Sequence, residues 1–290
     1  MKKQWMLPLT AVLGGAAAFV LRLIQQHTGF EAETGLPIPG NPAGTALAGL
    51  LAAMAVLLLL LVRQLPQEAE SGPAFPDAFM TDDGKLLTLP VMGVFFTALS
   101  GLADLLEGLG MGSLMTLLSS AAAGPGGVPD AVLQIPAPGF SGKAQLLMAV
   151  LSMLAAAGLF ASLLACRRRD GAAPRPVNGN WLLIPAVSLV VRLVLTYRID
   201  SVNPSLSAYY VELLALVFLC LGFYRLSSFA FRAGRTRRFA LYAGASIVLC
   251  IAALADGSPY LSSTLLYIGG ALTLLGFLLL RLPVQSANAE

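Results

Sequence analysis

Charge is scarce in this chain: 11% of its residues are Asp, Glu, Lys or Arg, against about a quarter in soluble domains. With 57% hydrophobic residues, that scarcity excludes the usual soluble class and points to a membrane. Histidine is scarcer still. His27 is the only one, which removes most zinc and haem arrangements. Cys166, Cys220 and Cys250 have no CxxC spacing, and two fall inside apolar runs, so they read as small packing residues. No disulfide framework, metal site or cofactor is expected. Phosphate-binding glycine motifs and HExxH are also missing, and no nucleophile-and-base set stands out. The enzyme reading therefore has no residues to carry it, and nothing suggests a nucleic-acid partner.

What the chain has instead is long apolar runs. Segments at roughly 5–26, 43–63, 87–108, 144–166, 181–199, 205–226, 238–256 and 260–281 are each long and apolar enough to span. The fold class is all-α, a polytopic membrane protein of eight transmembrane helices. Lys2 and Lys3 before an apolar run could begin a signal peptide, but the run continues to about Gln25, so it reads as a retained first helix. Basic residues fix the direction. With the N-terminus inside, Lys2, Lys3, Arg63, Lys85, Arg167 to Arg169, Arg175, Arg225, Arg232, Arg235, Arg237, Arg238 and Arg281 fall on the inner side, against Lys143 and Arg198 outside. This predicts a multi-pass protein of the plasma membrane, bacterial by compactness and composition, with both termini cytoplasmic.

The second half resembles the first in the same orientation. Trp5 and Trp181 open the first and fifth spans, and Arg22 and Arg198 follow each tryptophan at the same spacing. Asn41-Pro42 and Asn203-Pro204 open the second and sixth, and the third and seventh end in GLAD and ALAD. These matches predict a parallel 4+4 repeat: 1–170 as the first four-helix unit, 177–283 as the second and 284–290 as a cytoplasmic tail. The first unit carries outer-side insertions at 27–42 and 109–143, the latter with an apolar piece from Met111 to Ala123. The inner loop 64–86 is acidic and contains proline, so it reads as a solvated linker.

Two charges lie deep in predicted spans. Arg192 is roughly 16 Å above Trp181, and Glu212 roughly 20 Å from Arg225, at 1.5 Å rise per residue. Charges at such depth face inward and pair, so the expectation is a buried Arg192–Glu212 pair. Ser188, Arg192, Thr196 and Asp200 recur at four-residue steps along one side of the fifth span, and Tyr209 precedes Glu212 by three. Thr97, Ser100, Asp104 and Glu107 stripe the third. The predicted ligand-binding set is Arg192, Glu212, Tyr209, Ser188, Thr196 and Asp104. Arg22, Asp104, Glu107, Arg198, Asp200 and Asp256, all near outer helix ends, either ring the mouth of the cavity that this set would line or, on the plainer reading, reach the headgroup region.

Two short strings resemble family motifs. Gly139-Phe140-Ser141-Gly142 resembles the GxSG of rhomboid proteases, which implies a serine working with a later histidine; no histidine follows His27. Asn41-Pro42-Ala43 resembles the NPA of aquaporins, which implies paired half-helices, whereas here it precedes a full-length span. Both strings read as helix caps. The functional expectation is a small polar-solute permease or solute-binding membrane component centred on Arg192 and Glu212, in contact with the lipid bilayer. The alternative is a non-transporting sensor or assembly subunit whose polar residues are structural and whose basic loop 225–238 meets a protein partner.

Overall fold

The computed structural model describes residues 5–31, 36–66, 75–81, 83–111, 140–167, 179–201, 206–258 and 260–287. Beyond Met111, the apolar piece of the outer insertion lies outside these residues, as does the side chain of Asp200. The described chain is all-helical. Its long helices are α1 (Met6–Thr28), α2 (Pro42–Arg63), α3 (Gly84–Gly108), α4 (Gly142–Cys166), α5 (Gly179–Asp200), α6 (Leu206–Ser227), α7 (Thr236–Ala253) and α8 (Leu261–Ala287). All eight are long and apolar enough to cross a membrane. The predicted tail begins inside α8, which continues to Ala287.

Local signals set several starts. The Asn41 side chain accepts from the Ala43 N–H at 2.7 Å with Pro42 at the first helical position, and Asp83 accepts from the Lys85 N–H at 2.9 Å. Ser141 caps α4 by accepting from the Ala144 N–H. That is the role played here by the serine of the GxSG string.

Helices α7 and α8 are the most enclosed of the eight, and α2 the most exposed. The neighbours of α7 are α1, α2, α6 and α8, while α8 also lies along α3. A closed path then runs α3, α4, α5, α6 back to α7. The two halves do not repeat this packing: α6 lies along α7, but the principal neighbours of α2 are α1 and α7 rather than α3.

The closest approach joins α3 to α8. A Cβ added at Gly93 would lie 2.7 Å from the Gly269 carbonyl oxygen, and one at Gly269 would lie 2.8 Å from the Gly93 carbonyl oxygen. Thr97 and Thr273, one turn on, fold their hydroxyls back onto those same carbonyls at 3.0 and 2.7 Å. Small residues with self-satisfied hydroxyls let the backbones touch.

One loop departs from expectation. In the connection read as a solvated linker, Phe75, Ala78 and Phe79 are buried. The Phe79 ring sits 5.1 to 5.9 Å from those of Phe75, Phe229, Phe239 and Phe277. Its acidic neighbours hid two aromatics whose burial outweighs the solvation of the polar residues around them.

Candidate functional site

Arg192 lies eight residues before the end of α5, about 12 Å in by helical rise. Its guanidinium points toward α3 and α8. Nη1 donates to Asp104 Oδ2 at 2.8 Å, and Nη2 donates to the Ser262 hydroxyl at 2.8 Å and the Ser263 hydroxyl at 3.4 Å. The ion pair is sealed: side-chain exposure is 3% for Arg192 and 1% for Asp104. Within this pair, Arg192 Nε is buried with no hydrogen-bond partner among the described residues.

The partner is thus Asp104 of α3, not Glu212. Arg192 and Glu212 are the nearest deep charges on consecutive spans, which is why the sequence pairs them. Here α3 and the first turn of α8 supply the acceptors that Arg192 reaches. Glu212 instead accepts from the Tyr267 hydroxyl at 2.7 Å.

The α3 stripe explains why this site is tight. Thr97 bonds to the Gly93 carbonyl, Ser100 donates to the Ser262 carbonyl at 2.7 Å, Asp104 holds Arg192, and Glu107 accepts from Gln145 of α4 at 3.1 Å. Each polar residue of the stripe has a protein partner. Ser262 is held twice, through its carbonyl by Ser100 and through its hydroxyl by Arg192.

Of the predicted set, Arg192 and Asp104 are brought together, while Ser188 and Thr196 share the buried face of α5 without bonding to Arg192. Ser188 lines a cavity of about 10 Å³ with Thr97 and Ser152, room for roughly one water molecule. Tyr209 is half-buried; its neighbour Tyr210 is the tyrosine that meets a cation.

That cation is Arg22, which sequence reasoning had reaching for headgroups. It is fully buried and pairs with Asp256, with Nη1 donating to Gln25 Oε1 at 2.8 Å and the Tyr210 ring centroid 5.3 Å away. Gln26 donates to the same Asp256 oxygen at 2.9 Å. The signal lay in two glutamines a turn beyond an arginine, a polar face too rich for lipid. Among the described residues no group of three His, Cys, Asp or Glu side chains is placed to hold a metal ion.

Comparison with protein-family models, curated proteins and solved structures finds no match for this chain.

Proposed function

We propose that this chain is a non-transporting integral membrane component, a sensor or assembly subunit, whose buried charges fix the mutual packing of its helices. The observation that carries this reading is the sealed Arg192–Asp104 pair, with both terminal nitrogens of Arg192 bonded and 3% and 1% of the two side chains exposed. A permease centred on Arg192 needs a route and a space for solute. Beside Ser188 the described residues leave about 10 Å³. An ion pair whose donors bond protein groups on two other helices suits a lock between spans.

The ends of the bundle support an orientation. Arg63, Arg225, Arg235, Arg237, Arg238 and Arg281 gather at one end, close to helix ends or within the last turns. By the excess of basic residues on cytoplasmic loops, that end is inner. Its basic surface between α6 and α7 is where a protein partner would meet the chain.

The test is the pair of changes Arg192→Leu and Asp104→Leu, made singly and together in the full chain. Each single change lowers thermal stability, and the double change restores it, because two apolar side chains can replace a buried ion pair. A folded double variant that loses uptake of a solute carried by cells or vesicles containing the wild type would overturn this reading and reinstate the permease.

A further inference from the structure

An apolar groove of about 300 Å³ runs between α2 and α6, with α7 as its floor. Met54 and Leu58 of α2, Leu214 and Phe218 of α6, and Ala245 and Val248 of α7 line it. Leu59 and Leu214 at its edges are 41% and 37% exposed, so it opens sideways, toward lipid. An apolar recess open to hydrocarbon gains nothing from hydrophobicity alone, since lipid tails surround the whole bundle. What distinguishes this one is its basic end.

Each of the three helices carries an arginine in register with its groove-lining positions. On α2, Ala55 and Leu59 line the groove and Arg63 follows four residues later. Leu214 and Phe218 of α6 are continued by Arg225, eleven residues beyond Leu214 and three turns further along the same face. On α7, Arg238 stands three and four residues before Leu241 and Tyr242. Helix directions put these arginines at one end, and Arg237 ties that end together by donating to the Arg63 carbonyl at 3.2 Å and to the Leu65 carbonyl.

Arg225 is the telling residue. Its guanidinium lies 5.5 Å from the Tyr224 ring centroid and 5.4 Å from that of Tyr242, a groove-lining residue. Its Nε is buried with no hydrogen-bond partner, and among the described residues no carboxylate forms an ion pair with it. Elsewhere in this molecule buried arginines meet aspartate, hydroxyl or carbonyl oxygen. Here two tyrosine rings flank a guanidinium, and among the described residues no carboxylate answers its charge, at the basic end of an apolar channel.

We propose that the α2–α6–α7 groove binds one anionic phospholipid, an acyl chain lying along Phe218 and Ala245 and the phosphate meeting Arg225, flanked by Arg63 and Arg238. Guanidinium and phosphate are matched in charge and hydrogen-bonding geometry. A zwitterionic lipid offers the same tail but cancels the charge.

The full chain, purified in a non-ionic detergent, is incubated with palmitoyl-oleoyl phosphatidylglycerol or with phosphatidylcholine of the same chains, and retained lipid is counted by native mass spectrometry. The wild type retains phosphatidylglycerol preferentially. Arg225→Gln lowers that preference about fivefold, the worth of one basic residue at an anionic lipid surface, and Arg225→Lys keeps most of it. Ala55→Trp, a change at an exposed position on the wall, blocks the tail and reduces retention of both lipids while thermal stability stays near wild type. Phosphatidylglycerol with a photoreactive acyl chain cross-links to residues 214–218 and 242–249. Equal retention of the two lipids by the wild type would overturn the proposal, as would an undiminished preference in Arg225→Gln, cross-links confined to other faces, or a copurifying protein helix seated in the groove.

Discussion

The two ends of the bundle treat arginine differently. At the end where α3 and α5 finish, Arg192 and Arg22 each meet a buried aspartate, Asp104 and Asp256. At the opposite end Arg281 is equally enclosed, yet its Nε donates to Thr236 Oγ1 at 2.7 Å and its Nη1 to the Ala78 carbonyl at 3.0 Å, with the Phe229 ring 5.5 Å away. Arg237 likewise bonds backbone carbonyls, and Arg225 lies between tyrosines. Among the described residues, the first end answers its arginines with carboxylates, and the second answers its own with hydroxyl and carbonyl oxygens and aromatic rings. On the reading proposed above, the first arrangement would lock helices and the second would leave a basic surface for headgroups or a partner.

The hardest test of that contrast is Asp104→Ala. It leaves Arg192 in place, buried, with no counter-ion, and breaking one half of a buried pair costs about 3–5 kcal/mol. Arg225→Gln at the other end is expected to change the unfolding midpoint little, because no ion pair is lost. Denaturant unfolding in micelles, followed by tryptophan fluorescence, measures both. Comparable losses in the two variants would erase the distinction between ends.

Packing offers a rival account of why the Asp104 end is rigid, and Gly93→Ala separates the two. The new Cβ would lie 2.5 Å from the Thr273 backbone nitrogen, which cannot move without shifting α8. Overpacking of this kind costs about 2 kcal/mol. If Gly93→Ala and Asp104→Ala together cost their sum, charge and contact act independently; a smaller combined loss means that the helix spacing set by Gly93 is what makes the Arg192 pair possible.

At the basic end Thr236→Val keeps side-chain shape and removes the acceptor for Arg281 Nε. Loss of a hydrogen bond to a charged group costs about 1.5 kcal/mol, less than removal of a counter-ion, because the Ala78 carbonyl remains. A loss as large as that of Asp104→Ala would show that dipoles at this end hold their arginine as firmly as a carboxylate does.

The helices were legible because a spanning helix writes itself in a run of apolar residues. The caps at Asn41 and Ser141 followed from residue type. Partner choice was not legible. Arg192 could be recognised as buried from its depth, but which of several carboxylates it reaches depends on which non-consecutive helices touch, and a periodic pattern carries no such information. Asp104 belongs both to the predicted ligand-binding set and to the residues near outer helix ends, yet nothing in its position names it as the partner of Arg192; the first turn of α8 covers it. The aromatic plug around Phe79 was hidden because a short 3-10 turn, Asp77–Phe79, has too few residues to show a period. The Arg22 lock was within reach, since a fully buried position was foreshadowed by the glutamines beside it.

The smallest expected effect concerns Glu212, the one deep carboxylate of the predicted site that lies outside the two locks. Tyr267→Phe removes only the hydroxyl that donates to it at 2.7 Å and leaves the buried ring packed. Interhelical hydrogen bonds within membranes average about 0.6 kcal/mol, and Glu212 is half-exposed, so another donor can replace the lost one. The variant should therefore unfold within about 1 kcal/mol of the wild type on that scale. A loss near that of Asp104→Ala would mean that the Tyr267 hydroxyl is a principal support of the carboxylate. Glu212 would then count as a third locked charge, and the division between the two ends would have to be redrawn to include it.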